Sequence, residues 1–209
     1  MTEELLSDDE ARAVLYKILA LYPDARGELQ WDSKFHLLCA VMLSAQTTDK
    51  MVNRVMPSFS KMFPTPVDLA KAPIEQIERE IKTIGLFRSK AKHLKATAEI
   101  LVDKYDSQIP EDKKTLMTLP GVGEKTANVV LAEGFGIPAI AVDTHVSRIS
   151  KKFHIVDEKA TPHEVEKRLE SLLPKDQWVK THHAMILFGR YTMPARAKGD
   201  PYSYLNSEK

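Results

Sequence analysis

Apolar residues recur at helical spacing along almost the whole chain. In residues 8–22, for example, Val14, Leu15, Ile18 and Leu19 follow one another at steps of one, three and one, which places them on one face of a helix. No long segment alternates apolar and polar residues, as a half-buried strand would. The pattern therefore predicts an all-α protein.

Start signals support this interpretation. Ser7 followed by Glu10 predicts a capping box, and Thr161, Pro162 and Glu164 add a proline at the first helical position to the same signal. The same reasoning predicts further helices near residues 33–44, 48–62, 74–83, 87–105, 112–118, 124–134, 144–153 and 177–189.

Composition narrows the class of protein. With 209 residues, 43% of them hydrophobic, the chain can build a core without metal or disulfide support. The single cysteine, Cys39, excludes an internal disulfide and an all-cysteine metal site. No apolar run approaches the roughly 18 residues of a membrane span, and the first residues lack the basic region of a signal peptide. We therefore expect a soluble cytoplasmic protein without membrane contacts.

Charge is unevenly distributed. The formal net charge is +1, but residues 82–104 hold six bases against two acids, and residues 145–152 hold Arg148, Lys151 and Lys152 without an acid. Basic faces of this size suit phosphate contacts. The alternative, a solvated helix face, stays open at this point.

The most informative segment runs from Leu119 to Ala127, with the sequence LPGVGEKTA. Two predicted helices meet at a turn with Gly121 and Gly123 one residue apart. Glycine permits positive φ and close approach of another backbone. The second helix then begins with free N–H groups and the positive end of its dipole. This combination predicts a site for a DNA phosphate, whereas an ordinary helix–helix turn is the structural alternative.

The segment resembles the helix-hairpin-helix of DNA glycosylases, and Val142-Asp143-Thr144-His145 looks like the aspartate motif that follows it in that superfamily. The resemblance is to the endonuclease III family and covers nearly the whole chain. Its other signature blocks are Leu43–Asp49, Ile81–Phe87 and His183–Tyr191, in the family's order.

This resemblance implies that Lys125 and Asp143 are catalytic. A lysine amine that has lost its proton can attack the anomeric carbon of a sugar, displace the base and leave a Schiff base that promotes β-elimination. A fixed carboxylate stabilises the cationic transition state or takes part in proton transfer. Taken alone, Lys125 would more often be a surface lysine, and Asp143 would more often be the N-cap of the helix near 144–153.

The resemblance also implies DNA contacts. An enzyme that acts on a base must rotate the nucleotide out of the duplex and fill the gap, and Gln46 and Leu86 stand at the family's filling and wedging positions. The structural alternatives are an exposed turn for Gln46 and a glycine C-cap contact for Leu86. The remaining residues assigned to DNA binding are Gly121, Val122, Gly123, Thr126, His145 and Arg148.

The end of the chain departs from the family. Endonuclease III usually carries four cysteines that hold an iron–sulfur cluster, and the corresponding positions here are Met193, Asp200, Ser203 and Lys209. None supplies a thiolate, so we expect no cluster, no other metal and no cofactor. The chain from Ala197 lacks an apolar period, and we expect it to be loosely ordered. Candidate anchors are Tyr202, Tyr204 and Leu205.

Together these features predict a fold and a function. The resemblance implies a helical barrel domain over residues 27–137 and a discontinuous domain of residues 1–26 and 138–209, with a catalytic cleft between them. It implies a monomeric, nucleoid-associated DNA glycosylase with abasic-site lyase activity that removes damaged pyrimidines from double-stranded DNA. The alternatives are an oxidised-purine glycosylase and a DNA-binding module with reduced catalysis. Lys125 argues against adenine removal at mismatches, since that branch usually has a small hydroxyl residue there.

Overall fold

The computed structural model describes residues 4–206, and all regular structure in that range is helical, as predicted. Besides a π-helical turn at Phe188–Thr192 and 3₁₀ turns at Lys175–Gln177 and Pro201–Asn206, this part of the chain forms the following α-helices: α1 Asp8–Leu21, α2 Lys34–Ser44, α3 Asp49–Met62, α4 Pro66–Lys71, α5 Ile74–Glu80, α6 Phe87–Tyr105, α7 Lys113–Leu116, α8 Glu124–Phe135, α9 Thr144–Lys152, α10 Pro162–Leu172 and α11 Trp178–Leu187.

Side-chain caps determine where several helices begin. Ser7 and Thr161 both accept a backbone hydrogen bond and form full capping boxes at α1 and α10, which confirms the two predicted start signals. Thr65 and Asp68 form a third box at α4, with Pro66 at the first position. The sequence prediction missed this helix, although its start signal is of the same kind as that of α10.

The chain divides into two compact units, and the first comprises Glu28–Ile137. Its centre is α2, in which residues 35–43 are all buried and which packs against α3, α6 and α8. Phe59 and Phe63 meet edge to face beside it, with ring centroids 5.1 Å apart. Even with α2 this apolar, no helix within residues 4–206 combines the length and hydropathy that crossing a membrane requires.

The second unit combines the described residues up to Gly27 with those from Pro138 onward. Helix α1 packs against α10 and α11, and α9 packs against α10, α11 and the π-helical turn. The core contains Leu15, Ile149 and Phe188, all fully buried. The assignment of the two units as a barrel domain and a discontinuous partner domain stays a prediction.

The tail is ordered as far as residue 206, so the expectation of a loose segment was wrong for this part. Leu205 is buried in the core of its unit, and the ring of Tyr202 meets Phe153 edge to face at 5.3 Å. Such ring pairs contribute about 0.5–1.5 kcal/mol beyond the area they bury. The Tyr204 hydroxyl donates to the carbonyl of Lys198. The three residues predicted as anchors therefore hold a segment that has no helical periodicity.

The burial of Cys39 leads to the first prediction. The side chain is 2% exposed on α2, and burial raises the pKa of the thiol. Because only the thiolate reacts rapidly, we expect native protein to resist a thiol reagent at pH 8 and to react with one equivalent after denaturation. Spectrophotometric thiol titration with and without guanidinium measures this. Rapid labelling of the native protein would contradict the observed packing of α2.

Candidate active site

The hairpin of α7 and α8 is held together at three points. Lys113 on α7 and Glu124 on α8 form an ion pair of 2.9 Å. Leu119 and Val122, which lie in the turn between the helices, are 2% and 6% exposed. The predicted turn therefore buries its apolar side chains. Both helices belong to the 28–137 unit.

Of the two hairpin glycines, only Gly121 has a backbone conformation that disfavours a side chain. Gly121 has φ +78°, and a Cβ there would lie 2.9 Å from Nδ1 of His93 on α6. Gly123 has φ −92°, which any residue adopts, and a Cβ there would meet nothing within 4 Å. Gly121 thus serves the fold, whereas Gly123 keeps the space in front of α8 open.

Lys125 lies in the first turn of α8 and is exposed. The N-cap of this helix is Gly123, and no side chain caps the first amides. These N–H groups and the positive helix end give a local preference for an anion. Thr126, half-buried, follows in the same turn. The structure thus places Lys125 and Thr126 at an uncapped helix start, as the motif predicts.

Asp143 is the N-cap of α9. Its Oδ1 accepts hydrogen bonds from the backbone N–H of His145 at 2.8 Å and of Val146 at 2.9 Å. The structural alternative raised from the sequence is therefore confirmed, and it does not exclude a chemical role. Asp143 belongs to the second unit and Lys125 to the first.

Arg148, on the next turn of α9, makes well-defined contacts to the backbone. Its two terminal nitrogens donate to the carbonyls of Gly189 and Met193, both at 2.8 Å. Burial lowers the pKa of Arg148, and the Asp143 carboxylate acts in the opposite direction. A Cβ on Gly189 would lie 3.0 Å from Cβ of His145, so this glycine permits the close packing. DNA contacts by His145 and Arg148 stay predictions.

Gln46 and Leu86 share an unusual backbone conformation. Gln46 has φ +57° and Leu86 has φ +59°, a region that costs residues other than glycine about 1–2 kcal/mol. Leu86 is 63% exposed, so it is not a buried contact of a glycine C-cap. Strained, exposed residues of this kind are typical of functional segments. Asp106, Ser107 and His154 have positive φ as well, so the assignment of Gln46 and Leu86 to gap filling stays a prediction.

Contrary to the prediction from the sequence, the basic residues of α6 do not all lie on one solvent-exposed face of the helix. Lys90 is 7% exposed, and Lys95 is partly buried; both direct their amines at backbone carbonyls. The prediction of a solvated or phosphate-binding face was therefore wrong for these two lysines. Lys90 falls on the buried stripe of α6 with Ala91, Leu94 and Ala98, and that periodicity was the available signal.

The residues at the cluster positions do not suit an iron–sulfur cluster. Met193 is 3% exposed and packed in the core. Asp200 and Ser203 form a turn in which the Asp200 carbonyl accepts from both the backbone and the hydroxyl of Ser203. Lys209 lies outside the described residues. A thioether, a carboxylate and a hydroxyl do not replace thiolates toward iron, so no step of the chemistry is assigned to a cluster.

Comparison with known proteins bears on the family of the chain. The model of the HhH-GPD superfamily of base excision DNA repair proteins matches residues 39–175, well over half of the chain. Endonuclease III of Bacillus subtilis (strain 168) is 45% identical over 183 residues, covering 88% of this chain and 84% of that protein. Endonuclease III of Escherichia coli (strain K12) is 41% identical over 183 residues, covering 88% of this chain and 86% of that protein.

Solved structures give the same result. A trapped covalent intermediate of endonuclease III with DNA, an estranged-adenine complex, superposes with a TM-score of 0.90 at 44% identity, covering 92% of this chain and 91% of that one. A thermostable thymine-DNA glycosylase, with a TM-score of 0.80 at 22% identity over 90% of each chain, shares the fold. The chain therefore belongs to the endonuclease III family within the HhH-GPD superfamily, as a member without the four cluster cysteines.

Proposed function

We propose that this protein is a base excision repair enzyme, a DNA glycosylase with abasic-site lyase activity. It acts on double-stranded DNA that carries an oxidised or ring-damaged pyrimidine. The observation that carries the proposal is an exposed lysine, Lys125, in the first turn of the uncapped helix of a helix-hairpin-helix, in a chain that belongs to the endonuclease III family.

Lys125 supplies the nucleophile. Its neutral amine attacks the anomeric carbon of the damaged nucleotide, and the damaged base departs with the bonding electrons. The sugar ring then opens to a Schiff base on Nζ. The Schiff base makes the adjacent carbon acidic, so that loss of a proton expels the 3′ phosphate by β-elimination. Hydrolysis of the Schiff base returns the lysine.

Asp143 supplies a fixed negative charge in the same reaction. Positive charge develops on the sugar as the bond to the base breaks, and a carboxylate held in one orientation stabilises it. The two N–H groups that bind Oδ1 of Asp143 hold the carboxylate in that orientation. The cap therefore positions the carboxylate for the reaction as well as starting α9.

The DNA contacts are of two kinds: contacts to the phosphate backbone and contacts to the bases. The α8 start, with Gly123 and Thr126, binds a phosphate and holds the strand. Gln46 hydrogen-bonds the base left without its partner, and Leu86 enters the stack beside it. Since DNA is the substrate, we place the protein at the nucleoid in the cytoplasm.

Borohydride trapping tests the nucleophile. Wild-type protein should form a covalent adduct with duplexes that carry an oxidised pyrimidine or an abasic site, because reduction fixes the Schiff base. Lys125→Ala should form none, whereas Lys114→Ala, which removes an exposed lysine from α7, should trap like the wild type. A duplex with an oxidised purine tests the alternative substrate. Binding without any adduct in the wild type would favour a DNA-binding module instead.

Two substitutions of Asp143 separate its cap from its charge. Asp143→Asn keeps an acceptor for the amides of α9, so the free energy of unfolding should change by no more than about 0.5 kcal/mol. Single-turnover base release should nevertheless fall by roughly 100-fold, because the negative charge is lost. Asp143→Ala should lose the same activity and also about 1 kcal/mol of stability. A wild-type rate in the asparagine variant would remove the carboxylate from the mechanism.

The hairpin glycines form a second matched pair. Gly121→Ala should cost about 1–3 kcal/mol of unfolding free energy, since it forces a side chain to positive φ against His93. Gly123→Ala should lose no more than about 1 kcal/mol of stability, since alanine is a poorer N-cap than glycine, but should weaken duplex binding by roughly fivefold, about 1 kcal/mol, because its methyl group occupies the space for a phosphate. Urea unfolding and fluorescence anisotropy measure the two effects. Unchanged DNA affinity in Gly123→Ala would argue against phosphate binding at α8.

A further inference from the structure

Lys90 is a buried lysine that neither the resemblance nor the mechanism uses. It lies one turn into α6 and is 7% exposed. Its Nζ donates to the carbonyl of Leu43 at 2.7 Å and to that of Ala45 at 2.6 Å. These carbonyls lie at the end of α2, where helix geometry leaves backbone acceptors without intrahelical partners. One ammonium group thus satisfies two carbonyls of a neighbouring helix.

The contacts of Lys90 lie next to two residues with positive φ, Gln46 and Leu86. Ala45 directly precedes Gln46, so Lys90 binds the backbone next to one left-handed residue. Leu86, the other of these two left-handed residues, is the N-cap of α6, one helical turn before Lys90, and its carbonyl accepts the first helical hydrogen bond from the backbone N–H of Lys90 at 3.0 Å. A Cβ on Gly85 would lie 4.0 Å from the carbonyl oxygen of Gln46, so the two segments lie side by side.

We propose that Lys90 is a positioning residue for duplex opening, which holds the segments of Gln46 and Leu86 in one register so that both side chains enter the DNA together. This inference rests on the proposed function, because the gap-filling roles come from there. Lys90 itself touches neither substrate nor reacting atoms.

The physical basis is the free energy that would be lost if Lys90 did not bind the two carbonyls. Burial lowers the pKa of Lys90, which reflects the free energy spent on removing its charge from water. The two short hydrogen bonds offset that cost and leave the ammonium little freedom to move. Without them, the end of α2 has two orphaned carbonyls, and the left-handed backbone at Gln46 can relax. Loss of register by about 1 Å is enough to lower a rate substantially.

Lys95 provides a matched control on the same helix. Its Nζ donates to the carbonyls of Ala70 and Ala72, at 2.5 and 2.8 Å. These groups lie at the end of α4, a helix that bears none of the residues assigned to DNA. Lys90 and Lys95 therefore make the same kind of contact from α6, and only Lys90 joins the two segments.

The experiment compares Lys90→Met with Lys95→Met in the full chain. Single-turnover strand cleavage is measured on an abasic site in a duplex and on the same site in a single strand, which needs no gap filling. We expect Lys90→Met to lower the duplex rate by roughly tenfold or more and the single-strand rate by less than about twofold. Lys95→Met should leave the ratio of the two rates at the wild-type value. Thermal unfolding of both variants measures the loss of stability separately.

Each other outcome has a definite meaning. If Lys90→Met lowers the rates on the duplex and on the single strand by the same factor, or changes neither, the ratio of the two rates stays at the wild-type value and the positioning role is overturned. An equal change of the ratio in Lys95→Met does the same. If Lys90→Met does not fold, Lys90→Gln replaces it, since the shorter amide keeps a donor but does not reach both carbonyls; an unchanged ratio there also overturns the proposal. Absence of any borohydride adduct with wild-type protein would instead refute the proposed function.

Discussion

The polar side chains of α6 hold the end of α2 and the hairpin turn of the 28–137 unit in place. Lys90 binds the carbonyls before Gln46, and the hydroxyl of Thr97 donates to the carbonyl of Pro120 at 3.0 Å in the hairpin turn. His93, between them, packs beneath Gly121. A buried carbonyl without a donor costs about 1–3 kcal/mol. Any shift of α6 relative to the contacted segment would break such a hydrogen bond, so each contact favours one alignment of the helix with that segment. The segment of Gln46 and the hairpin turn, which we propose fill the gap and bind a phosphate, are therefore positioned by the same helix.

In the second unit, hydrogen bonds and aromatic packing hold the segments that follow α11 in place. Arg148 joins α9 to the carbonyls of Gly189 and Met193, at the point where the family's cluster segment begins. Beyond it, the edge-to-face contact of Tyr202 with Phe153 and the burial of Leu205 hold the tail. Packing and charge-assisted hydrogen bonds thus stabilise the segment that follows α11. Asp143, at the start of α9, benefits from the same anchoring.

Local signals predicted the fold, and long-range contacts set the limits of that prediction. The boxes at Ser7 and Thr161 were found because two residues only three positions apart specify each of them. Helix α4 has an equivalent box but only six residues, too few to show an apolar period. The carbonyl partners of Lys90 lie 47 and 45 positions away in sequence, and no local sequence pattern predicts these contacts. The tail was misjudged because aromatic contacts hold it in place of a periodic stripe.

The candidate site shows why structural and functional interpretations of one residue need not compete. Asp143 was open to interpretation as an N-cap or as a catalytic carboxylate, and the cap is present. A cap binds one carboxylate oxygen through rigid backbone donors and so orients the other, which is what electrostatic stabilisation of a cation requires. The same reasoning applies to Leu86, whose left-handed backbone both starts α6 and exposes its side chain. At both positions one backbone arrangement begins the helix and fixes the side chain to which we assign a role in the reaction.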